Sequence, residues 1–180
     1  MKSKAEVLKE KLESYIVENQ ISIALMEIYD DNVETMVSLS ILNNVLHYSN
    51  TSGLQFSAII FRTQTSPTEQ ERIARCIQLC NFFSVEYSIV DLSELTSPIL
   101  KTCYNSESIE KETYVKLKHC YYKLASLVTK ENILLLHNAL TDSDILGQED
   151  LSPTVFKPYS IVRNLTEQDL AEIIEDIMSL

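Results

Sequence analysis

Residues 58–92, AIIFRTQTSPTEQERIARCIQLCNFFSVEYSIVDL, contain an apolar strand, a helix and a second strand in succession. Ser66 is placed to act as N-cap of the helix, Pro67 fits its first position, and Glu69 stands where it would complete a capping box. Parallel strands joined by one helix form a right-handed unit. The stretch therefore predicts a parallel α/β sheet with a ligand crevice at the carboxyl ends of its strands.

The helix within this stretch is predicted to be half buried against the sheet. Its apolar residues recur at roughly helical spacing, and its charged and polar residues take the other face. The residues assigned to that other face are Glu69, Glu71, Arg72, Arg75 and Gln78.

Length and composition predict a single cytoplasmic domain spanning residues 1–180. With 180 residues and 45% hydrophobic content, the chain can bury a sizeable core without disulfides or metals. No apolar run approaches the roughly 18 residues of a membrane span, and the charged N-terminal segment does not resemble a signal peptide. We therefore expect no membrane association.

The charge balance argues against nucleic acid and anionic lipid as partners. The chain has 26 acidic and 15 basic residues, for a net charge of −11. Such a field repels polyanions, and no cluster of lysine and arginine offsets it. With only Gly53 and Gly147, the chain also lacks any glycine-rich phosphate loop of the GxGxxG or GxxxxGK[ST] type.

The four cysteines are predicted to be buried free thiols in a reducing compartment. They are Cys76, Cys80, Cys103 and Cys120, and no two of them form a CxxC pair.

Strands and helices alternate along the chain. Strands are predicted at 21–29, 55–61, 86–91 and 132–137. Helices are predicted at 3–18, 33–48, 67–84, about 110–129, and 166–179. In the last of these helices, Thr166 is the predicted N-cap and Asp169 the capping-box residue. This order predicts a three-layer α/β/α domain, with a parallel sheet of about five strands and helices on both faces.

Three segments carry a family resemblance. IIFRTQTSPTEQ and SIVDL resemble the second βα unit of ammonia-dependent NAD synthetases, where a strand ends in Met-Pro-x-x-x-Ser-Ser before a helix. Residues 114–150 resemble that family's Arg-rich helix, the strand after it and its Gly-Thr-Gly-Asn-Lys-Ser-Glu loop. Residues 157–174 resemble its Pro-Ile-x-x-Leu-x-Lys-Thr-x-Val segment and its terminal helix. The chain thus resembles NAD synthetases and other N-type ATP pyrophosphatases in element order over most of its length.

The resemblance fails at the turn that binds pyrophosphate in this family. The family has a Ser-Gly-Gly-x-Asp-Ser loop there, whose bare backbone N–H groups hold the anion. This chain has EIYDDNVET, with Asp30 and Asp31 in place of the glycines, and Glu34 and Thr35 at the Asp-Ser positions. Two interpretations stay open: a solvated acidic turn, or a Mg²⁺ site formed by Asp30, Asp31 and Glu34.

Other positions of the family are altered as well. Thr141, Asp142, Ser143 and Asp144 stand at the Asn-Lys-Ser-Glu positions, so an acid replaces the lysine. His137 ends an apolar strand and would face the crevice. The resemblance implies that a nucleotide-like ligand would meet the residues at the strand ends and turns, namely Tyr29, Glu34, Thr35, Arg62, Ser66, His137, Thr141 and Ser143. We assign no catalytic and no metal-binding residue.

These losses favour a pseudoenzyme that acts by binding a nucleotide-like ligand or another protein. One alternative is an active ATP-dependent, amide-forming ligase of the NAD synthetase type with an unusual loop, which would need ATP and Mg²⁺. The other is an acidic adaptor protein with no nucleotide ligand. The ligand and any cofactor are not identified by the sequence.

A homodimer is also expected. NAD synthetase-like domains pair through helices flanking the sheet, and the helices at 33–48 and 110–129 carry apolar residues on more than one side. We expect an apolar, tyrosine-containing interface.

Overall fold

The computed structural model describes residues 1–48, 53–62, 66–92, 133–136 and 156–178. The elements are α1 (Lys4–Glu18), β1 (Ile23–Glu27), α2 (Val33–Tyr48), β2 (Gln55–Arg62), α3 (Pro67–Phe82), β3 (Tyr87–Asp91), β4 (Ile133–Leu136), β5 (Phe156–Tyr159) and α4 (Glu167–Met178). Within these ranges, no helix is long and apolar enough to cross a membrane.

The five strands that the structure describes form one parallel sheet in the order β3-β2-β1-β4-β5. In the central ladders, Ile23 of β1 lies opposite Gln55 of β2 on one side and opposite Ile133 of β4 on the other. Helices flank the sheet, and apolar clusters lie on both of its faces. The predicted three-layer α/β fold with a parallel sheet is therefore confirmed.

Strand β5 was not among the strands predicted from the sequence. Its four residues, FKPY, include Lys157 and Pro158 and lack the apolar run that marks the other strands. Proline has no N–H to donate to a ladder, so it is confined to edge strands or bulges. Among the described strands β5 is the edge, beyond β4, and proline is tolerated there.

The predicted capping box forms at the start of α4, whereas only its N-cap half forms at the start of α3. At α4, the Thr166 hydroxyl accepts from the Asp169 N–H at 3.1 Å, and an Asp169 carboxylate oxygen accepts from the Thr166 N–H at 3.0 Å. At α3, Ser66 is the N-cap and its hydroxyl accepts from the Glu69 N–H at 3.2 Å. The Glu69 side chain does not complete the box, because it pairs with Arg72 instead.

Helix α3 ends at Phe82, two residues earlier than predicted, because the chain reverses in a Schellman turn. Ser84 has a left-handed backbone, with φ of 54°. The Val85 N–H donates to the Cys80 carbonyl at 3.0 Å, and the Ser84 N–H donates to the Asn81 carbonyl at 3.2 Å. These bonds satisfy the last carbonyls of the helix and aim the chain into β3.

The larger core lies on the face of the sheet covered by the described helices. Leu12 of α1, Leu42 of α2, Cys76 of α3 and Ile173 of α4 all belong to it, together with Met26 of β1. All five are fully buried. Helix α2 contacts both α1 and α4. Most apolar residues of α2 are therefore buried within one chain. Their number in α2 is then no reason to expect a dimer interface on this helix.

A second apolar cluster lies on the opposite face of the sheet. Its buried members are Ile59, Phe61, Leu92, Ile133 and Leu135. The helix predicted at 110–129, the other half of the dimer argument, lies outside the described residues. That part of the dimer expectation stays a prediction.

Two of the four cysteines fall within the described residues, and both are buried free thiols as predicted. Burial raises the pKa of Cys76 and of Cys80 to about 11. Both are therefore held as neutral thiols near neutral pH, and such thiols are poor nucleophiles.

Candidate functional site

The turn between β1 and α2 occupies the place where the family resemblance predicts a phosphate loop. This turn, residues 28–32, follows the carboxyl end of the central strand β1. The chain passes from β1 to β2 on one side, and β4 lies on the other, so the strand order reverses here. In parallel α/β sheets, ligands bind at the carboxyl ends of the strands beside such a reversal.

An ion pair fixes this turn to α3. The Arg75 guanidinium donates to both carboxylate oxygens of Asp30, from Nε at 3.0 Å and from Nη2 at 3.2 Å. A carboxylate oxygen of Asp31 lies 3.7 Å from Arg75 Nε. Two-pronged pairing of this kind holds a carboxylate in a defined orientation. The turn is therefore neither a free acidic loop nor an open anion cradle.

Backbone N–H groups of the turn and of the first turn of α2 are used internally. The Asp31 N–H donates to Asp30 Oδ1 at 2.9 Å. Asn32 Oδ1 accepts from the Thr35 N–H at 2.9 Å and from the Thr35 hydroxyl at 2.6 Å. Two N–H groups that a phosphate could use at this helix N-terminus, those of Asp31 and Thr35, are thus occupied by this chain's own side chains.

Arg72 joins the turn that follows β1 to the carboxyl end of β2. It donates to the Tyr29 carbonyl at 2.6 Å and to the Phe61 carbonyl at 2.7 Å, and it forms an ion pair with Glu69. Arg72 and Glu69 are each only 7% exposed. The guanidinium carbon also lies 4.5 Å from the centre of the Tyr29 ring. Three parts of the fold, the turn after β1, strand β2 and helix α3, therefore meet at one buried cation.

These contacts overturn the exposed face assigned to α3. Glu69 and Arg72 were predicted to face solvent, yet both are buried at the carboxyl edge of the sheet. A long charged side chain can extend from the helix to the backbone of a neighbouring element and be buried there. The periodicity of apolar residues gives no sign of such burial. The sequence shows that Glu69, Arg72 and Arg75 are spaced along one face of the helix. It does not show their partners, because Phe61 and residues 28–32 come from other parts of the chain.

The structure brings only some of the predicted site residues together. Tyr29 lies within the turn and is exposed, whereas Thr35 is buried and bonded to Asn32. Glu34 lies in the first turn of α2. Arg62 ends β2 opposite Asp91 of β3.

The other predicted site residues have different outcomes. Ser66 is engaged as the N-cap of α3. His137, Thr141 and Ser143 lie outside the described residues. Within the described ranges, no three acidic, histidine or cysteine side chains are grouped so that they could hold a metal ion. The Mg²⁺ interpretation of Asp30, Asp31 and Glu34 has no support there.

Acidification is expected to remove a stabilising contribution of Asp30. Hydrogen bonds from Arg75 lower the pKa of the Asp30 carboxyl from 3.8 to about 2. A carboxyl with a depressed folded-state pKa stabilises the fold above pH 3.8, and the stabilisation is lost as the pH falls towards about 2. Partial exposure keeps the contribution small.

Urea unfolding of the wild type and of Asp30→Asn, from about pH 5 to about pH 2, measures this contribution. The stability of the wild type should fall more steeply over the acid range, because the variant has no carboxyl to protonate. Parallel curves would contradict the assigned pairing.

No protein-family model matches this chain, and no curated protein matches it. Solved structures with a similar fold include the ammonia-dependent NAD synthetase of Campylobacter jejuni, with a TM-score of 0.59 and 12% identity. The U34-tRNA thiolase NcsA of Methanococcus maripaludis has a TM-score of 0.62 and 14% identity, and the NMN synthetase of Francisella tularensis has 0.61 and 10%.

These alignments cover 96%, 96% and 97% of this chain, and 71%, 63% and 69% of the respective proteins. At such low identity the likeness concerns the fold alone. Across nearly its whole length, this chain has the fold of the NAD synthetase-like, N-type ATP pyrophosphatase structures.

Proposed function

We propose that this protein is a non-catalytic domain of NAD synthetase-like fold that acts through a nucleotide-like ligand or a protein partner. The observation that supports this most directly is the pairing of Asp30 with Arg75 in the turn after β1. That turn is where the resemblance implies pyrophosphate binding. The cytoplasm is the compartment we propose for it.

Electrostatics of the turn disfavour a bound pyrophosphate. An incoming phosphate would meet the Asp30 and Asp31 carboxylates and would have to displace Asp30 from Arg75. The neighbouring cation, Arg72, is already committed to two carbonyl oxygens and to Glu69. Phosphoryl and adenylyl transfer depend on cations and N–H groups aimed at the developing charge. Here Arg72, Arg75 and the N–H groups of Asp31 and Thr35 are engaged by the protein itself.

An activity assay tests the proposal. We expect no pyrophosphate release above background when the protein is mixed with ATP, Mg²⁺, ammonia and nicotinic acid adenine dinucleotide. A catalytically competent NAD synthetase in the same assay serves as the positive control. Turnover near an ordinary enzyme's rate of about 10 per second would refute the proposal and favour the active ligase.

Ligand binding is measured separately from turnover. Calorimetric titration with ATP or with nicotinic acid adenine dinucleotide would show whether nucleotide recognition is retained in the absence of chemistry. Tyr29→Ala is the informative variant, because the exposed ring stacks on Arg72 at the carboxyl edge of the sheet. Binding that is weakened by this change would favour a nucleotide-like ligand, and absence of binding would favour the protein-partner form of the proposal.

A further inference from the structure

We draw no further inference here: the strongest candidate, the cavity of about 640 Å³ that Ile23, Gln55, Glu86 and the last turn of α2 line at the amino edge of the sheet, carries no proposal, because the chain that follows α2, residues 49–52, lies outside the described residues and nothing in the structure shows what covers the cavity.

Discussion

Replacing Arg72 with alanine is expected to lower the free energy of unfolding by about 3–5 kcal/mol, because it leaves a buried carboxylate without its cation. Glu69 is buried beside Arg72, and the carbonyls of Tyr29 and Phe61 would lose the same donor. Unsatisfied buried acceptors add to the cost of the lost ion pair. Urea unfolding followed by circular dichroism measures the loss.

Two further variants show whether the loss of stability comes from the buried position of Arg72 or from the removal of any arginine. Arg75→Ala, at a residue whose side chain is 41% exposed, should cost only about 0–1 kcal/mol. The double variant Glu69→Gln with Arg72→Met should be more stable than Arg72→Ala, since no buried charge is then left alone. If Arg72→Ala and Arg75→Ala cost the same, Arg72 does not have the buried role described above.

Replacing Phe61 with alanine is expected to lower the free energy of unfolding by about 3–5 kcal/mol, because it empties the centre of the second core. Phe61 is fully buried there with Ile59, Leu92 and Leu135. A sheet interior relaxes little around a lost ring, so the cost includes a cavity as well as lost burial.

Phe82→Ala is the matched control for this prediction. It removes the same ring from a site that is 68% exposed at the end of α3, and it should cost well under about 1 kcal/mol. Similar losses in the two variants would mean that the second core does not stabilise the domain.

The sequence was sufficient for elements whose signal is local. Helix α2 was predicted at its observed bounds, and β2 was predicted to within one residue, because apolar periodicity and turn residues mark them directly. The cap at Ser66 and the paired cap at Thr166 and Asp169 were also predictable, since both depend on residues three apart.

The site was less predictable because its contacts join distant parts of the chain. Asp30 was identified as a residue that alters the turn, but its partner Arg75 is on α3, with α2 and β2 between them in the chain. Glu69 and Arg72 were assigned to solvent because a helical pattern counts charged residues as exposed. Such long side chains find backbone partners only after the sheet has formed. The local sequence pattern therefore located the turn but did not identify the contacts that stabilise it.

The central place of β1 also determines the order in which the sheet can assemble. β1 pairs with β2, and β2 with β3, through connections that are short along the chain. On its other side, Ile23 meets Ile133, so this ladder closes a loop of more than half the chain. Closing long loops has an entropic cost, and distant pairs form slowly.

Refolding should therefore protect the amides of β2 before those of β4 in pulse-labelling hydrogen exchange, and simultaneous protection would contradict this order. Until β4 arrives, one apolar flank of β1 stays open to other chains. Productive folding of this protein is then a competition between the late arrival of its own fourth strand and capture by a neighbour.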